Sequence, residues 1–229
     1  MKKYLLNNGF ISTKRSVYYR VISDLIQIFE IDFVISQWCY RIRFDLIPFC
    51  AGRNIESIYS IGASYSICLL NGETDENMPL CHNEQLLISD IVSKLEMFIF
   101  PLFSKCHDSF SAYYTLSEIK NDNQASTDNL KKTFYNFNSM FWLAIKNCDF
   151  SIAKKTIESI IEQNNIAFRL NMKHFEIKGS DTQSYVERHN ERIQKWNYYL
   201  EILKPESRDE LELLISTNEN ITKNSLCCK

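Results

Sequence analysis

Two Cys-His dipeptides contain the residue types that most directly suggest chemistry. Cys81-His82 and Cys106-His107 together supply two thiols and two imidazoles, a set of groups that can bind zinc tetrahedrally. The segment between them has the apolar spacing of a helix, and a helix of about 20 residues is about 30 Å long. Because such a helix separates its own ends, we predict that the two dipeptides do not share a metal ion.

The remaining motifs exclude several familiar catalytic sites. The sequence contains neither G-x-G-x-x-G nor Gly-Lys-Ser/Thr, and Gly62–Ser66 lacks the second glycine of a G-x-S-x-G nucleophile elbow. The H-E-x-x-H and C-x-x-C spacings of common zinc sites are also absent. We therefore predict no catalytic residue, no cofactor-binding residue and no cofactor.

Charged residues close to aromatic ones are the remaining candidates for a surface or pocket site. They are Arg20, Asp32, Arg41, Arg43 and Arg53. Arginine next to aromatic side chains can contribute to a ligand-binding surface or to the stacking of RNA bases. The alternative is that Arg41 and Arg43 pair with acidic residues of the neighbouring strand on a solvated face, and the matching positions of those acids favour it.

Alternation of apolar and polar residues predicts strands in roughly the first 70 residues. The predicted strands comprise Val17–Val21, Phe29–Phe33, Tyr40–Leu46 and Ile61–Ile67. Each pattern has one apolar face, which predicts a sheet with one buried side. Short connections between the strands predict an antiparallel meander and not βαβ units.

A register can also be predicted for the second and third strands. In one alignment, apolar residues lie opposite apolar residues on one face and acidic residues lie opposite arginines on the other. The opposed apolar pairs are Phe29–Phe44, Ile31–Ile42 and Phe33–Tyr40, and the opposed charged pairs are Glu30–Arg43 and Asp32–Arg41. Pairs of this kind contribute on the order of 0.2–1 kcal/mol each. A slip by one residue would place charges in the core, so the register should be well specified.

Beyond Gly72 the apolar spacing is that of helices. The predicted helices cover 84–103, 109–119, 129–147, 151–168 and 182–203, and a short one follows Pro205. We expect the first of them to cover the buried face of the sheet and to kink or end near Pro101. The junction Ala144–Ala153 resembles that of a tetratricopeptide unit but does not recur, which predicts a plain helical hairpin.

The predicted fold class is therefore α+β, with an N-terminal four-stranded antiparallel meander covered by a helix and an all-helical C-terminal half. The polar stretch 120–129 predicts a boundary between a sheet domain over 1–120 and a helical region over 129–217 that packs on it. Residues 218–229 contain few apolar side chains, which predicts a flexible tail.

The N-terminal residues also resemble a known family. Three segments carry the resemblance, Asn8–Ile11, Tyr18–Arg20 and Ile26–Phe29, and a further strand ends near Pro48. In this pattern, residues 1–120 resemble the bacterial domain of unknown function 4304. Since that family has no established activity, the resemblance implies a fold for this part of the chain and no site residues.

Composition limits the classes of partner. The chain has 229 residues, with 26 basic and 28 acidic ones and a formal charge of −2. The two signs alternate, which argues against a nucleic-acid partner, because phosphate binding needs basic side chains concentrated on one face. The apolar stretch after Met1-Lys2-Lys3 is too short for a secretory signal, and Pro101 interrupts the longest apolar run. These features predict a cytoplasmic protein without a membrane partner.

The function predicted from these observations is a non-catalytic protein-interaction module whose partner is another protein. An immunity-like protein is one example of this class. Apolar and aromatic residues are ample for a core, and no catalytic set is visible. The alternative is a small-molecule or phosphoester enzyme whose site is assembled only in the fold. Its candidate residues are the five charged residues named above and the histidines. A pocket with at least two of these residues and a partner of shifted pKa would favour the enzyme.

The first testable prediction concerns zinc. A zinc ion bound by both Cys-His dipeptides would contribute on the order of 10 kcal/mol to folding. We expect elemental analysis of the purified protein to find far less than stoichiometric zinc, and a chelator to leave the melting temperature unchanged. Stoichiometric zinc, together with a melting temperature that falls on chelation, would contradict the prediction.

Overall fold

The structure of the chain is a computed structural model that describes residues 1–13, 16–54, 65–72, 75–124, 138–178 and 182–227. An antiparallel sheet occupies the N-terminal part and helices follow, which confirms the α+β class. The strands are β1 (Ile11–Ser12), β2 (Val17–Ile22), β3 (Leu25–Val34), β4 (Cys39–Pro48), β5 (Tyr65–Ser66) and β6 (Met78–Pro79). The helices are α1 (Lys2–Asn7), α2 (Cys68–Asn71), α3 (Glu84–Lys94), α4 (Phe100–Lys105), α5 (Ser109–Gln124), α6 (Asn138–Lys146), α7 (Phe150–Lys178), α8 (Gln183–Ile202) and α9 (Arg208–Cys227).

The register of the β3–β4 hairpin is the predicted one. Phe29 lies opposite Phe44 and Asp32 lies opposite Arg41, and the antiparallel ladder extends over the full length of both strands. Strands β1 to β5 lie side by side in chain order, and β6 pairs with the beginning of β4. Of the fourth predicted strand, residues 65 and 66 form β5, and residues 61–64 lie outside the described ranges.

The sheet is buried on both faces near the end of β4, which differs from the single buried face that the alternation predicted. Phe29 and Phe44 belong to the main core, which also contains helical side chains. On the opposite face, Ile26 and Ile28 belong to a second buried cluster, against which Leu226 of α9 packs. The physical reason is local: Leu25–Phe29 is apolar on both faces of β3 except for Gln27, as is usual for a strand that is covered on both sides.

The helices after residue 138 share the main core with the sheet. Phe141 of α6 stacks on Tyr199 of α8, with ring centroids 5.4 Å apart, and both side chains belong to the core cluster that contains Phe44. Helices α6 and α7 form the predicted helical hairpin, in which the Asp149 carboxylate accepts the N–H of Ile152 at the beginning of α7. The boundary at 120–129 stays a prediction, because α5 runs to residue 124 and residues 125–137 are outside the described ranges.

Pro101 changes the helix from Glu84 without ending it. Helix α3 ends at Lys94, a π-helical segment covers Leu95–Ile99, and α4 begins at Phe100. Proline has no backbone N–H to continue an α-helical ladder, and a π-helical turn is one way in which a helix accommodates such an interruption. Leu95 and Ile99 both remain buried in the main core.

The buried side chain of Gln27 in β3 binds the end of α4. Its Nε2 donates to the carbonyl oxygens of Phe103 and Cys106, both at 2.6 Å, and its Oε1 accepts from Nε of Arg20 at 2.6 Å. The last carbonyl groups of a helix have no partner within the helix, and burying them unpaired is costly. Gln27 therefore allows the end of α4 to lie against the sheet.

Two polar groups of the sheet region bind other helices in the same way. Asp24, between β2 and β3, accepts the N–H of Ser109 at 3.0 Å and its hydroxyl at 2.5 Å, at the beginning of α5. The carbonyl of Phe49, just after β4, accepts the hydroxyl of Thr222 of α9 at 3.0 Å. The sheet thus supplies partners for buried polar groups of the helices as well as apolar contacts.

The part of the predicted flexible tail that the structure describes, residues 218–227, belongs to α9. Asn218 donates to the carbonyl of Cys50 at 2.9 Å, and Thr222 is fully buried. Gly52 adopts a positive φ of 65°, and a Cβ there would lie 2.6 Å from Oδ1 of Asn218, so glycine permits this close approach. The low apolar content of the segment gave no sign of these contacts, because they are largely polar.

The second prediction tests the buried amide of Gln27. Gln27→Met keeps nearly the same volume and removes every hydrogen bond of the amide. We expect a loss of roughly 2–4 kcal/mol in the free energy of unfolding, because the Cys106 carbonyl loses the donor that Gln27 supplies, the Phe103 carbonyl keeps only the N–H of Cys106, and Nε of Arg20 loses its acceptor. Urea denaturation measures the change.

The matched control is Gln85→Met on the exposed surface of α3. This variant should change the free energy of unfolding by less than about 0.5 kcal/mol. Equal stability of the two variants would contradict the assigned role of Gln27.

Candidate functional site

The structure does not bring the five predicted site residues together. Arg20 lies on the face of β2 that continues the main core, whereas Asp32, Arg41 and Arg43 lie on the opposite face of the β3–β4 hairpin. Arg53 follows Gly52 beyond the end of β4. Burial raises the pKa of Asp45 and of Tyr199, and Arg53 lies close enough to both for its positive charge to oppose this increase.

Arg41 and Arg43 form ion pairs with Glu76 and not with the predicted cross-strand acids. Nε of Arg41 is 3.4 Å and Nη2 of Arg43 is 3.1 Å from Oε1 of Glu76. The reason is the pairing of β6 with β4, which brings the residues before β6 next to these arginines. Arg41 also donates to Oδ1 of Asn77 at 2.8 Å. Both side chains are thus engaged by their own chain, as in the alternative that the sequence favoured, but with a different partner.

A cleft of about 540 Å³ lies at the outer edge of β2. Its lining includes Asn8, Gly9, Ile11, Arg20, Val21 and Leu226. Of the five candidates, the cleft contains Arg20. Its described lining has no carboxylate, imidazole or thiol group, so this cleft offers a cation and apolar surface to a ligand but no general base of those types.

Contacts on three sides fix the guanidinium of Arg20. Its Nε donates to Gln27, its Nη1 donates to the carbonyl of Asn8 at 3.1 Å, and its central carbon lies 4.7 Å from the ring centroid of Phe10. Burial lowers the pKa of Arg20, although an arginine remains charged at any physiological pH. A fixed guanidinium at an open cleft can bind a carboxylate or another anion.

Asp45 is a buried titratable group that the sequence analysis did not select. Its exposed fraction is 2%, and burial raises its pKa to about 6, against the opposing effects of hydrogen bonds from Ser139 and from the N–H of Leu46. The alternation in β4 placed it on the solvated face. The apolar run that follows it, Leu46–Phe49, was the available sign that both faces are buried there.

The tip of the β3–β4 hairpin exposes large apolar side chains. Ile35 is 65% exposed, Trp38 is 61% exposed and Phe33 is 37% exposed. The indole of Trp38 lies 5.2 Å from the imidazole of His82, measured between ring centroids. We call these four residues the hairpin-tip surface. Sequence reasoning missed it, although apolar residues at a hairpin turn, where polar ones are usual, were a visible signal.

The backbone of Trp38 is fixed from both sides. Its N–H donates to the carbonyl of Ile35 at 3.2 Å, and its own carbonyl accepts the N–H of Leu80 at 2.9 Å. It adopts a φ of 49°, a left-handed conformation that is uncommon for a bulky residue. Such a conformation persists only where the surrounding contacts determine it.

The two Cys-His dipeptides that were considered as zinc ligands lie in different environments. His82 contacts Trp38, and Cys106 is buried, which raises the pKa of its thiol to about 11. Within the described ranges, no group of three or more His, Cys, Asp and Glu side chains could hold a metal ion. None of the described helices has the length and apolar character that a membrane crossing requires.

Comparisons with known proteins gave no relative. A scan against models of protein families, a search of curated proteins and a search of solved structures each found no match. The resemblance of residues 1–120 to the bacterial domain of unknown function 4304 therefore stays a prediction. The cleft and the hairpin-tip surface are the two candidate functional sites.

The third prediction concerns the pH dependence that Asp45 causes. A folded-state pKa of about 6, compared with an ordinary value of 3.8, means that the folded protein binds this proton more tightly than the unfolded chain does. Stability should therefore fall as the pH rises from about 4 to about 6, by roughly 3 kcal/mol from this group alone.

Asp45→Asn removes this titration. We expect the variant to gain stability over the wild-type protein at about pH 7.5 but not at about pH 4.5, as measured by urea denaturation. The control is Asp32→Asn, the same substitution at a partly exposed position of β3. A D45N effect that is independent of pH would contradict the prediction.

Proposed function

We propose that this chain is a non-catalytic protein-interaction module that binds another protein through the hairpin-tip surface. The observation that carries the proposal is the exposed indole of Trp38 on a backbone that hydrogen bonds fix from both sides. Tryptophan is among the residues that contribute most to binding energy in protein interfaces, particularly where it is surrounded by other apolar groups. Ile35 and Phe33 are further exposed apolar residues at the same hairpin tip.

The rigidity of the hairpin tip favours binding, because its backbone does not have to become ordered when a partner associates. Strand β6 pairs with the beginning of β4, where Cys39 lies opposite Pro79 and Tyr40 opposite Met78. The hydroxyl of Tyr40 also donates to the carboxylate of Asp90 on α3. A surface that is already in its binding conformation avoids the entropic cost of ordering loops and side chains on association.

The arrangement of charges and apolar residues supports a protein as the partner. Exposed apolar groups that lie together are typical of protein–protein contact sites. The near-neutral total of −2 supports neither a nucleic-acid partner nor a surface rich in phosphate. We propose a cytoplasmic location and an immunity-like role within the same class, on the composition alone.

We also propose that the sheet is a meander that the helix from Glu84 covers. The chain order of β1 to β5 supports the first part. The burial of Ile91 and Leu95 in the same cluster as Phe44 supports the second.

The fourth prediction tests the hairpin-tip surface by capture of proteins from a lysate of the source cells. The double variant Ile35→Ser with Trp38→Ser should retain a captured partner roughly 30-fold less than the wild-type protein, because truncation of a hot-spot residue costs about 2 kcal/mol or more. Mass spectrometry quantifies the captured proteins.

The matched control is the double variant Phe110→Ser with Tyr114→Ser. These two rings are 60% and 50% exposed on α5 and contact each other at 4.6 Å between centroids. The control should capture the same proteins as the wild type. The proposal fails if both double variants, shown by circular dichroism to be folded, retain or lose the same proteins to the same extent.

A further inference from the structure

The outer edge of β2 is only partly paired. Strand β1 pairs with Tyr18 and Tyr19, whereas β2 continues to Ile22. The chain reaches β1 from α1 through Gly9, whose φ of 79° is accessible to glycine and turns the chain away from the line of β1. The cleft lies where β1 would otherwise continue along β2.

The backbone of Val21 is directed into this cleft. The carbonyl of Val17 accepts the N–H of Thr13 on the β1 side, and the carbonyl of Ser16 accepts the N–H of Ile31 on the β3 side. Along an antiparallel strand, successive residues direct their N–H and C=O groups to alternate sides. The N–H and C=O of Val21 therefore point to the β1 side, where no strand of the described ranges pairs with it.

Arg20 adds a cation next to this backbone edge. Its Nε and Nη1 are bonded to Gln27 and Asn8, and in the described ranges Nη2 has no hydrogen-bond partner. The guanidinium lies on the face of the sheet that carries Phe10, whereas the side chain of Val21 points to the face against which Leu226 packs. The cleft thus presents a cation on one face and apolar surface on the other.

We infer that this edge of β2 binds an extended peptide segment that carries an acidic side chain, by addition of a strand in line with β1. The peptide backbone would pair with the N–H and C=O of Val21. The register of β1 places Phe10 opposite Arg20, so the first position beyond it is the one opposite Val21, where an apolar peptide residue would contact Leu226. The next peptide residue, opposite Ile22, would lie on the face of Arg20 and, being acidic, would bind Nη2. This inference rests on the proposed function in taking the partner to be a protein, and it concerns a second surface.

Charge and hydrogen-bonding capacity favour this occupant. A small carboxylate could bind Arg20 but could not pair with both the donor and the acceptor of Val21. A second copy of the chain, paired edge to edge, would bring two Arg20 side chains into one interface, and β2 contains no acidic residue to compensate them. An acidic strand from another protein could bind the guanidinium of Arg20 and also pair with the backbone N–H and C=O of Val21.

A synthetic peptide tests the inference directly. The probe is a terminally blocked peptide of alternating threonine and valine with one central glutamate, titrated into the full chain. Hydrogen exchange followed by NMR should show the Val21 amide becoming protected by the peptide, whereas the Ile22 amide, which points to β3, should not change. The same peptide with glutamine in place of glutamate should bind roughly tenfold more weakly.

Variants of Val21 separate the backbone contact from the side chain. Val21→Pro removes the outward N–H at an edge position where proline is tolerated, and it should weaken binding of the glutamate peptide by roughly tenfold or more. Val21→Thr keeps that N–H and should bind within about twofold of the wild type. Unchanged circular dichroism of both variants shows that the fold is retained.

Three results would overturn the inference: no protection of the Val21 amide, equal affinity for the glutamate and glutamine peptides, or binding by Val21→Pro at the wild-type level. Competition by acetate alone with the affinity of the peptide would show that the cleft binds small carboxylates and would also overturn it. Failure here, with loss of capture by the Trp38 variant, leaves the proposed function standing. If the peptide binds as expected but the Trp38 variant captures the same proteins as the wild type, only the proposal for the hairpin-tip surface is contradicted.

Discussion

The buried amide of Gln27 is the interaction on which the packing of helices against the sheet depends. Helix ends carry backbone groups that have no partner within the helix, so a helix can end against an apolar sheet only if the sheet supplies polar groups. Gln27 supplies two donors to the end of α4 and an acceptor to Arg20. The same side chain therefore fixes part of the core and the orientation of the cation in the cleft.

The other helices that contact the sheet follow the same constraint. Asp24 binds the beginning of α5, Asp45 accepts a hydrogen bond from Ser139 at the beginning of α6, and the Phe49 carbonyl accepts one from α9. Each bond satisfies a buried polar group, and a hydrogen bond of this kind is worth only about 1 kcal/mol net but more when it is broken. The requirement explains why Asp45 remains in the core despite the unfavourable burial that raises its pKa to about 6.

The elements that sequence reasoning predicted are those that leave a periodic pattern. The register of β3 and β4 follows from matched residues on both faces, and Phe29 does lie opposite Phe44. The docking of α9 leaves no such pattern, because Thr222 and Asn218 bind carbonyl groups distant in sequence. Arg20 could be selected from the sequence as a candidate site residue, because its predicted strand also contains aromatic residues. The cleft could not, because the turn at Gly9 and the approach of Leu226 form it together.

The length of β3 separates the two candidate surfaces. The cleft lies beside the residues of β2 that pair with the beginning of β3, and the hairpin-tip surface begins at Phe33, near its end. From Ile26, which pairs with Val21, to Ile35 in the hairpin-tip surface the interval is about nine residues, which at about 3.3 Å per residue corresponds to about 30 Å. A standard interface buries about 800 Å² on each partner, a patch of about that width, so a partner of ordinary size centred on one surface would scarcely reach the other. Substitutions so far apart, without shared contacts, should act independently. The two surfaces are therefore suited either to two different partners or to one partner that combines an apolar pocket with a separate extended acidic strand.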